Sequence, residues 1–300
     1  MNNTEKQLNE FYYYFLIPNI MKKILLISFI SFFCLISVFS QGFFKLHWND
    51  EFNGTALDET KWGYQIGTGR EIGLNGWGNN EQQFYKKENV KVENGYLIFT
   101  AKREKKEDQL EDKPFTSGRI NSRGKYFTTY GRIEARISLP AINGMWPAFW
   151  MLPEKSPYGG WASSGEIDIM EAKGRLPDQF GGAIHYGGSP NTYSGTGNYT
   201  FPNDETIENF HVYAVEWKEN EISWYCDGKL VKSLTQWHSA RGEYPAPFNV
   251  DFYILLNLAV GGNFDRGTMP PDDFVSSEMK IDYVRVYKWD ENLKSPEIPK

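Results

Sequence analysis

The segment at residues 165–174, GEIDIMEAKG, constrains the fold more than any other part of the chain. Its alternating acidic and aliphatic residues predict a β-strand, in which successive side chains point to opposite faces. Glu166 and Asp168 then share one face, and the isoleucines take the other. Strict alternation would place the next acid, Glu171, on the isoleucine face.

A carboxylate buried among isoleucines without a partner would carry a large energetic cost. We therefore predict a β-bulge with one extra residue at Ile169-Met170. The bulge resets the alternation and returns Glu171 to the face of the other two acids. Bulges are frequent beside active sites because they re-aim a side chain in this way.

Three acids on one face of a rigid strand suit glycoside hydrolysis by the retaining route, in which one carboxylate is the nucleophile and one carboxylic acid protonates the leaving oxygen. Crowding of three carboxylates also holds at least one proton near neutral pH, as a general acid requires. The alternative is an ordinary half-exposed strand with its acids toward water, because alternation alone reports only burial.

Further motifs surround the acidic segment, and they favour the catalytic interpretation. They are residues 48–54 (WNDEFNG), 77–85 (WGNNEQQFY), 117–120 (SGRI), 130–136 (YGRIEAR), 144–153 (GMWPAFWMLP), 182–188 (GAIHYGG), 257–262 (NLAVGG) and 281–287 (IDYVRVY). With these motifs in this order, the chain resembles glycoside hydrolase family 16 over nearly all of its length after residue 42. The extra residue before the last Glu resembles the laminarinase-type (endo-β-1,3-glucanase) branch and not the bulge-free lichenase branch.

The resemblance implies the roles of the acids. Glu166 is expected to be the nucleophile and Glu171 the acid/base, with no cofactor needed for catalysis. Asp168 lies between them and is expected to share a proton with the nucleophile, so the pKa values belong to the cluster. An extended strand would separate the two glutamates by roughly 13 Å between Cα atoms. The bulge must therefore bring their side chains toward the ~5–5.5 Å typical of retaining enzymes.

Aromatic residues are the next candidates for substrate binding. Trp146 and Trp150 are four residues apart, so on one strand they face the same side, and flat indole rings suit stacking on sugars. Trp161, just before the acidic strand, is expected to line the cleft. Trp217 and Trp224 lie in alternating strands and are expected in the core.

Four further positions are assigned to the cleft because they match the family pattern. Trp77 and Asn80 match a motif near the glycone side. His185 is placed next to the acid/base, where it would bond Glu171 or a sugar hydroxyl, although a lone His on a strand is more often structural. Arg119 matches a cleft position, although an Arg in S-G-R could equally bind a surface carboxylate.

The fold class follows from recurring strand signals. Asn94-Gly95 and Asp227-Gly228 each separate two strand-like runs and predict two-residue hairpins. Residues 132–139 and 211–217 alternate cleanly, and helical periodicity is missing. Many strands with short turns predict an all-β sandwich or barrel. The resemblance selects a concanavalin-like β-sandwich (jelly roll) with a concave substrate cleft.

The first forty residues are expected to be removed or untranslated. Residues 21–40 have the basic start, apolar run and small-residue cleavage site of a signal peptide, which predicts a secreted or periplasmic protein. A membrane anchor is the alternative, but the apolar run is short for a span. Residues 1–20 are interpreted as an over-extended start. Residues 41–300 show no linker or repeat and are predicted to be a single catalytic domain.

Composition excludes several partners. The net charge of −6 argues against nucleic acid and against an anionic membrane surface. Cys226 is the one cysteine left after signal removal, so it cannot form an internal disulfide. The four histidines are scattered without metal-ligand spacing, which disfavours a metal hydrolase. We expect a monomer that acts on a polysaccharide.

A structural Ca²⁺ is a further implication of the resemblance. Many family members bind one away from the cleft through residues corresponding to Glu51, Gly95 and Asp282, mostly by backbone oxygens with the Asp282 side chain added. Oxygen ligands suit Ca²⁺. The alternative is that Asp282 simply lies on a terminal strand and Gly95 simply makes a hairpin turn.

The substrate expected from the resemblance is a β-1,3-glucan such as laminarin, cut internally, with mixed-linkage β-1,3-1,4-glucan as a second substrate. Lichenan, agar and carrageenan hydrolases of the same family are the alternatives, and so is a glucan-binding protein without catalysis. Fold alone would not separate these functions. The complete set of Glu166, Asp168 and Glu171 favours an enzyme.

Overall fold

The computed structural model describes residues 42–188 and 190–293. The predicted signal segment and the residues before it lie outside the described residues. The chain divides into two units. The described part of the small unit is residues 42–45 and 289–293, where the rings of Phe44 and Trp289 meet edge to face with centroids 5.4 Å apart. The large unit is residues 46–288, and the prediction of a single domain over 41–300 stays a prediction.

Strands dominate the described residues, with a few short 3₁₀ turns between them, at Arg70–Ile72, Asn75–Gly78, Lys87–Asn89, Lys106–Asp108 and Asn263–Asp265. The strands are β1 (Phe43–Asp50), β2 (Gly63–Tyr64), β3 (Gln83–Tyr85), β4 (Val90–Glu93), β5 (Tyr96–Arg103), β6 (Phe115–Ser117), β7 (Arg119–Asn121), β8 (Phe127–Thr128), β9 (Gly131–Ser138), β10 (Met145–Pro153), β11 (Glu166–Glu171), β12 (Gln179–Tyr186), β13 (Thr192–Gly195), β14 (Tyr199–Thr200), β15 (His211–Lys218), β16 (Glu221–Cys226), β17 (Lys229–Leu234), β18 (Phe252–Val260) and β19 (Ser276–Asp290).

These strands form two sheets. The first has the order β17-β16-β15-β9-β19-β5-β6-β3, with β4 beside β5. The second has the order β13-β12-β11-β10-β18-β7-β2, with β14 beside β12 and β8 beside β18. Residues from both sheets form one hydrophobic core. The predicted all-β sandwich is therefore confirmed, and the acidic strand β11 lies inside the second sheet.

The alternation of apolar and polar residues along the strands explains which face of each strand packs in the core. Ile133, Ala135 and Ile137 of β9 are fully buried, and the residues between them are more polar. Trp217 and Trp224 are also buried in the core, as predicted. Burial of such side chains is the main favourable contribution to folding.

Both predicted hairpins are confirmed. Asn94 and Gly95 have φ of 53° and 80° and connect β4 to β5. Asp227 and Gly228 have φ of 49° and 74° and connect β16 to β17. Positive φ at both turn positions is typical of the type I′ turn, which matches the twist of the flanking strands.

The long loop after β12 is more regular than its sequence suggests. It contains β13, which pairs with β12 so that Tyr193 lies opposite His185. Strand β13 thus extends the second sheet on the side of β12 away from the acidic strand. No helix within residues 42–188 and 190–293 has the length and hydropathy needed to cross a membrane.

Candidate active site

Strand β11 carries the predicted bulge. Against β10, Phe149 pairs with Met170 whereas Trp150 pairs with Asp168, so Ile169 is the extra residue. Against β12, the register breaks over the same step. The prediction of one extra residue at Ile169-Met170 is confirmed.

The bulge returns Glu171 to the face of the other acids. Glu171 lies opposite Ala148 and Asp168 lies opposite Trp150. Ala148 and Trp150 are two residues apart on β10, so they share a face. We call this side of the second sheet, which carries Glu166, Asp168 and Glu171, the carboxylate face.

Neighbouring strands add side chains to the carboxylate face by the same registers. Asn257 of β18 lies opposite Ala148, and Arg119 of β7 lies opposite Asn257. On the other side, His185 lies opposite Glu166, and Tyr193 lies opposite His185. The acids therefore stand in the middle of a polar and aromatic surface.

Glu166 is held by two neighbours. The indole N–H of Trp161 donates to Glu166 Oε2. The second neighbour is Asp168, whose carboxyl group raises the pKa of Glu166. The sharing of a proton between these two carboxyl groups stays a prediction.

Asp168 is the most enclosed of the three acids, with 2% of its surface exposed. His185 Nε2 lies 3.2 Å from Asp168 Oδ2. This oxygen receives no aligned hydrogen bond within the described part of the chain, so the contact is electrostatic. The other ring nitrogen of His185, Nδ1, lies 3.1 Å from Asn191 Nδ2. His185 thus contacts Asp168, whereas the sequence analysis expected a bond to Glu171 or to a sugar hydroxyl, and the hydroxyl alternative stays a prediction.

Glu171 has a different environment. The indole N–H of Trp146 donates to Glu171 Oε1 at 2.9 Å. The ring of Trp146 stacks on Phe264 with centroids 5.0 Å apart. Lys173 places its ammonium 4.5 Å from the centre of the same Phe264 ring. A pocket opens here, lined by Glu171, Lys173, Phe180, Tyr193 and Phe264 among others.

Burial raises the pKa of all three acids. The pKa of Glu166 rises to about 8 because of burial and then the charge of Asp168, while His185 and the Trp161 N–H oppose the rise. The pKa of Glu171 rises to about 7 by burial, opposed by the Trp146 N–H. Burial and then the charge of Glu171 raise the pKa of Asp168.

The protonation state of Asp168 affects the charge of Glu166. The charge of ionised Asp168 is one cause of the raised pKa of Glu166. When Asp168 holds the proton, that cause is absent, so Glu166 ionises more readily. The cluster can then present an ionised Glu166 and a protonated Glu171, which are the two states needed for a nucleophile and an acid.

The structure gathers most of the predicted binding residues around the acids. Trp161 is 60% exposed and lies beside His185, with ring centroids 5.7 Å apart. Trp150 shares the carboxylate face and donates its indole N–H to Asn257 Oδ1 at 2.8 Å. The guanidinium of Arg119 lies between two indoles, 5.0 Å from Trp150 and 4.4 Å from Trp77.

Two predicted residues have partners within the protein that limit their exposure to sugar. Trp77 is buried and donates its indole N–H to the Gly67 carbonyl at 3.2 Å. Arg119 is also buried and donates to Gln65 Oε1 at 2.6 Å, which excludes a surface carboxylate as its partner. Asn80 is exposed and donates to Asn263 Oδ1 at 2.9 Å.

Sequence reasoning missed three side chains around the acids. Tyr193 is 71% exposed and lies over His185 with ring centroids 5.9 Å apart. Phe264 forms the stack with Trp146 described above. Asn257 interrupts the otherwise apolar strand FYILLNLAV, and this interruption was a usable signal. Tyr193 and Phe264 lie in loop-like sequence that carries no such signal.

Two of the residues predicted to hold Ca²⁺, Glu51 and Asp282, have side chains that are paired with arginines. Asp282 follows Ile281, which pairs with Leu97, and Gly95 lies in the hairpin turn two residues before Leu97. Arg136 Nη1 lies 2.7 Å from Asp282 Oδ2. The carboxylate of Glu51 is bound by Arg285 at 2.9 and 2.8 Å. The Glu51 side chain is therefore occupied by an ion pair, so Glu51 would bind Ca²⁺ through its backbone oxygen.

Other side chains also offer clustered ligand atoms. Glu166, Asp168 and His185 form one such set, and His211, Cys226 and Asp227 form another. In the first set, His185 Nε2 lies 3.2 Å from Asp168 Oδ2, as described above. In the second, His211 Nδ1 lies 2.7 Å from Asp227 Oδ2, and Nε2 lies 3.0 Å from the Thr206 carbonyl oxygen.

Comparison with known proteins agrees with this geometry. A family model described as beta-porphyranase A-D, GH16 domain, matches residues 46–289. A glucan endo-1,3-beta-glucosidase A1 of Niallia circulans is 46% identical over 81% of this chain, which spans 38% of that relative's length. A glucan endo-1,3-beta-glucosidase of Cryptopygus antarcticus is 37% identical over 84% of this chain and 94% of its own.

Solved structures show the same fold. The laminarinase from Rhodothermus marinus superposes with a TM-score of 0.73 at 37% identity, over 84% of this chain and all (100%) of that one. The laminarinase catalytic domain from Thermotoga maritima gives a TM-score of 0.72 at 35% identity, over 82% of this chain and 98% of its own. The bulged acidic strand, the two-sheet sandwich and these similarities agree, and the chain belongs to glycoside hydrolase family 16.

Proposed function

We propose that this enzyme hydrolyses internal bonds of β-1,3-glucan with retention of configuration, with Glu166 as the nucleophile and Glu171 as the acid/base. The observation that carries the proposal is the bulge. It places both glutamates on one face and gives each a separate indole donor, Trp161 for Glu166 and Trp146 for Glu171. Retaining hydrolysis needs two carboxyl groups in different protonation states that flank the scissile bond, about 5–5.5 Å apart.

The mechanism follows from the surroundings of each acid. Glu171 gives its proton to the leaving oxygen while ionised Glu166 attacks the anomeric carbon, which forms a glycosyl-enzyme. Asp168 keeps the shared proton and so leaves the negative charge on Glu166. In the second step Glu171, now a carboxylate, removes a proton from water, and the water releases the sugar.

The glucan assignment rests on the relatives and on the surface beside the acids. The names of the Niallia and Cryptopygus relatives specify endo-1,3-beta-glucosidase action. Aromatic rings of Trp161, Tyr193 and Phe264 flank the carboxylates, and such rings stack well on the apolar faces of glucose units. Mixed-linkage β-1,3-1,4-glucan is proposed as a second substrate.

A sulfated galactan is the second candidate, because the matching family model is named for porphyranases. Sulfate groups call for unpaired Arg and Lys along the cleft. Arg119 is instead buried against the indoles of Trp77 and Trp150. Arg175 is bound to Asp265 at 2.7 Å, which leaves Lys173 as the cation that lines the pocket beside Glu171. With the net charge of −6, these contacts favour a neutral polysaccharide.

A substrate panel tests the assignment. Reducing ends should appear faster from laminarin than from lichenan, and much faster than from agarose, carrageenan or porphyran, with one enzyme preparation used throughout. Early products should be oligosaccharides, since the cut is internal. Faster release from a sulfated galactan than from laminarin would refute the glucan assignment, and glucose as the sole early product would refute internal cleavage.

Replacement of the nucleophile tests the mechanism. Glu166→Gln keeps the shape of the side chain but removes the attacking oxygen anion, so turnover of laminarin should fall at least about a thousandfold. The melting temperature and laminarin binding should stay close to those of the wild type. The exposed Glu219→Gln is the matched control and should keep full turnover. Turnover of Glu166→Gln within tenfold of the wild type would exclude Glu166 as the nucleophile.

The pH profile tests the role of Glu171. The acid must be protonated, so kcat/KM should fall as pH rises through about 7, the raised pKa of Glu171. The Trp146 N–H stabilises the charged carboxylate, and its loss in Trp146→Phe should raise this pKa further. The basic limb of the profile should then move up by about one pH unit.

Trp150→Phe is the control for this shift, because the Trp150 N–H donates to the uncharged Asn257 side chain. This variant should lower kcat/KM without moving the basic limb. A basic limb that stays in place or moves to lower pH in Trp146→Phe would contradict the assignment of that limb to Glu171.

We also propose a structural Ca²⁺ bound through backbone oxygens of Glu51 and Gly95 and through a side-chain oxygen of Asp282. Binding to the folded state stabilises it by mass action, so Ca²⁺ at a hundredfold excess over its Kd should raise the melting temperature by about 5 °C relative to excess chelator. Asp282→Ala should remove this shift, and the exposed Asp273→Ala should keep it. Identical melting curves of the wild type in Ca²⁺ and in chelator would rule out the site.

The cellular location is a separate proposal. The apolar run at residues 24–38 favours export of the chain, and a polysaccharide outside the cell would then be within reach. N-terminal sequencing of the protein from culture medium or periplasm should begin at Gln41. An N-terminus at Met1 or Met21 would contradict cleavage after Ser40.

A further inference from the structure

A hydrogen bond from the first sheet ends on the acidic strand of the second. Trp224 of β16 is fully buried, and its indole N–H donates to the main-chain carbonyl of Asp168 at 2.8 Å. The acceptor belongs to the residue directly before the extra residue Ile169. The bond therefore meets β11 at the start of its bulge.

The bulge explains why this carbonyl takes a side-chain donor. The pairing of β11 with β12 holds up to Asp168, opposite Ala183, and resumes only at Glu171, opposite Gly181. Carbonyls within such a break lose regular ladder partners, and buried carbonyls almost always find another donor. An indole N–H can only donate, so it suits a carbonyl and no other backbone group.

Space for the indole is provided by Gly182 on β12. A Cβ at this position would overlap Trp224 Nε1 and would lie 2.9 Å from the Asp168 carbonyl oxygen. The backbone of Gly182 is itself held by Thr196, which binds both its N–H and its carbonyl. A side chain here could therefore be accommodated only by moving the indole or the bulge.

We propose that Trp224 is a positioning residue for catalysis, which fixes the backbone at the bulge and so sets the placement of Glu171 relative to Glu166. This inference rests on the proposed retaining mechanism, in which both glutamates act on one sugar. Trp224 lies on the core side of β11 and acts through the Asp168 carbonyl. A displacement of the bulge would change the distance between acid and nucleophile without removing either group, and such misplacement lowers the rate of the chemical step.

The test is Trp224→Phe, which keeps an aromatic ring in the core and removes the N–H. We expect kcat on laminarin to fall by about tenfold to a hundredfold with KM within about threefold, because a positioning defect acts on the transition state more than on binding. The basic limb of the pH profile should also move, since the environment of Glu171 depends on the bulge. A purely structural role would lower the melting temperature and leave both kcat and the pH profile of the folded fraction unchanged.

Trp237→Phe is the matched control. Trp237 is also buried, and its indole N–H donates to the Pro245 carbonyl at the same distance of 2.8 Å. This variant loses a comparable bond away from β11, so it should lower the melting temperature while kcat and the pH profile stay at wild-type values.

Gly182→Ala disturbs the same contact from β12, because its Cβ would displace the indole, and it should reproduce the kinetic changes of Trp224→Phe. If Trp224→Phe does not fold, the kinetics of Gly182→Ala test the positioning role instead. The wild-type enzyme gives an independent result: the indole ¹⁵N–H signal of Trp224 should shift with the pH midpoint of the basic limb, and that of Trp237 should not.

The outcomes separate this inference from the proposed function. An inactive Glu166→Gln together with wild-type kcat and pH profile in folded Trp224→Phe or Gly182→Ala would overturn the positioning role and keep the mechanism. A Trp224 signal that is independent of pH would also overturn it. An active Glu166→Gln would overturn the mechanism itself, whatever the Trp224 variant does.

Discussion

The crowding of three carboxyl groups on one strand, with Asp168 buried and the two glutamates half-buried, is the constraint on which the site depends. Burial alone disfavours charge on each of Glu166, Asp168 and Glu171, and each charge that forms disfavours the next. The protein offsets this cost with an indole donor for each glutamate, and the proposed sharing of a proton with Glu166 keeps Asp168 neutral. The same arrangement gives a charged nucleophile and a neutral acid. The contacts that lower the cost of placing three acids together therefore also produce the protonation states that catalysis requires.

The remainder of the sandwich keeps this arrangement in place. Strand β11 lies between β10 and β12, which fix its register on either side of the bulge. The core-facing residues Ile167, Ile169 and Met170 are buried against the first sheet. Side chains in a packed core have few alternative positions, so they hold the backbone of β11 in place. The acids on the opposite face of the strand are therefore held in place as well. Tyr193 of β13 and Phe264 of the 3₁₀ turn after β18 add aromatic rings beside the acids.

Local sequence chemistry explains why much of this could be predicted. An acid that strict alternation would bury is a strong signal, and it predicts the bulge at Ile169-Met170 from the sequence alone. The turns at Asn94-Gly95 and Asp227-Gly228 could likewise be predicted from the sequence. The partner of His185 could not be predicted, because its contact with Asp168 depends on the register between β11 and β12. Tyr193 lies beside the acids because β13 pairs with β12. The Gly- and Ser-rich sequence around Tyr193 does not predict this pairing.

The most direct test of the account is a ¹³C NMR titration of the side-chain carboxyl carbons of Glu166, Asp168 and Glu171 in the wild-type enzyme. The account predicts that the three groups together keep at least one proton at pH 6 and that one titration step lies near pH 7, with several residues reporting the same coupled midpoints. Ionisation of all three groups below pH 5, each with its own independent midpoint, would contradict it.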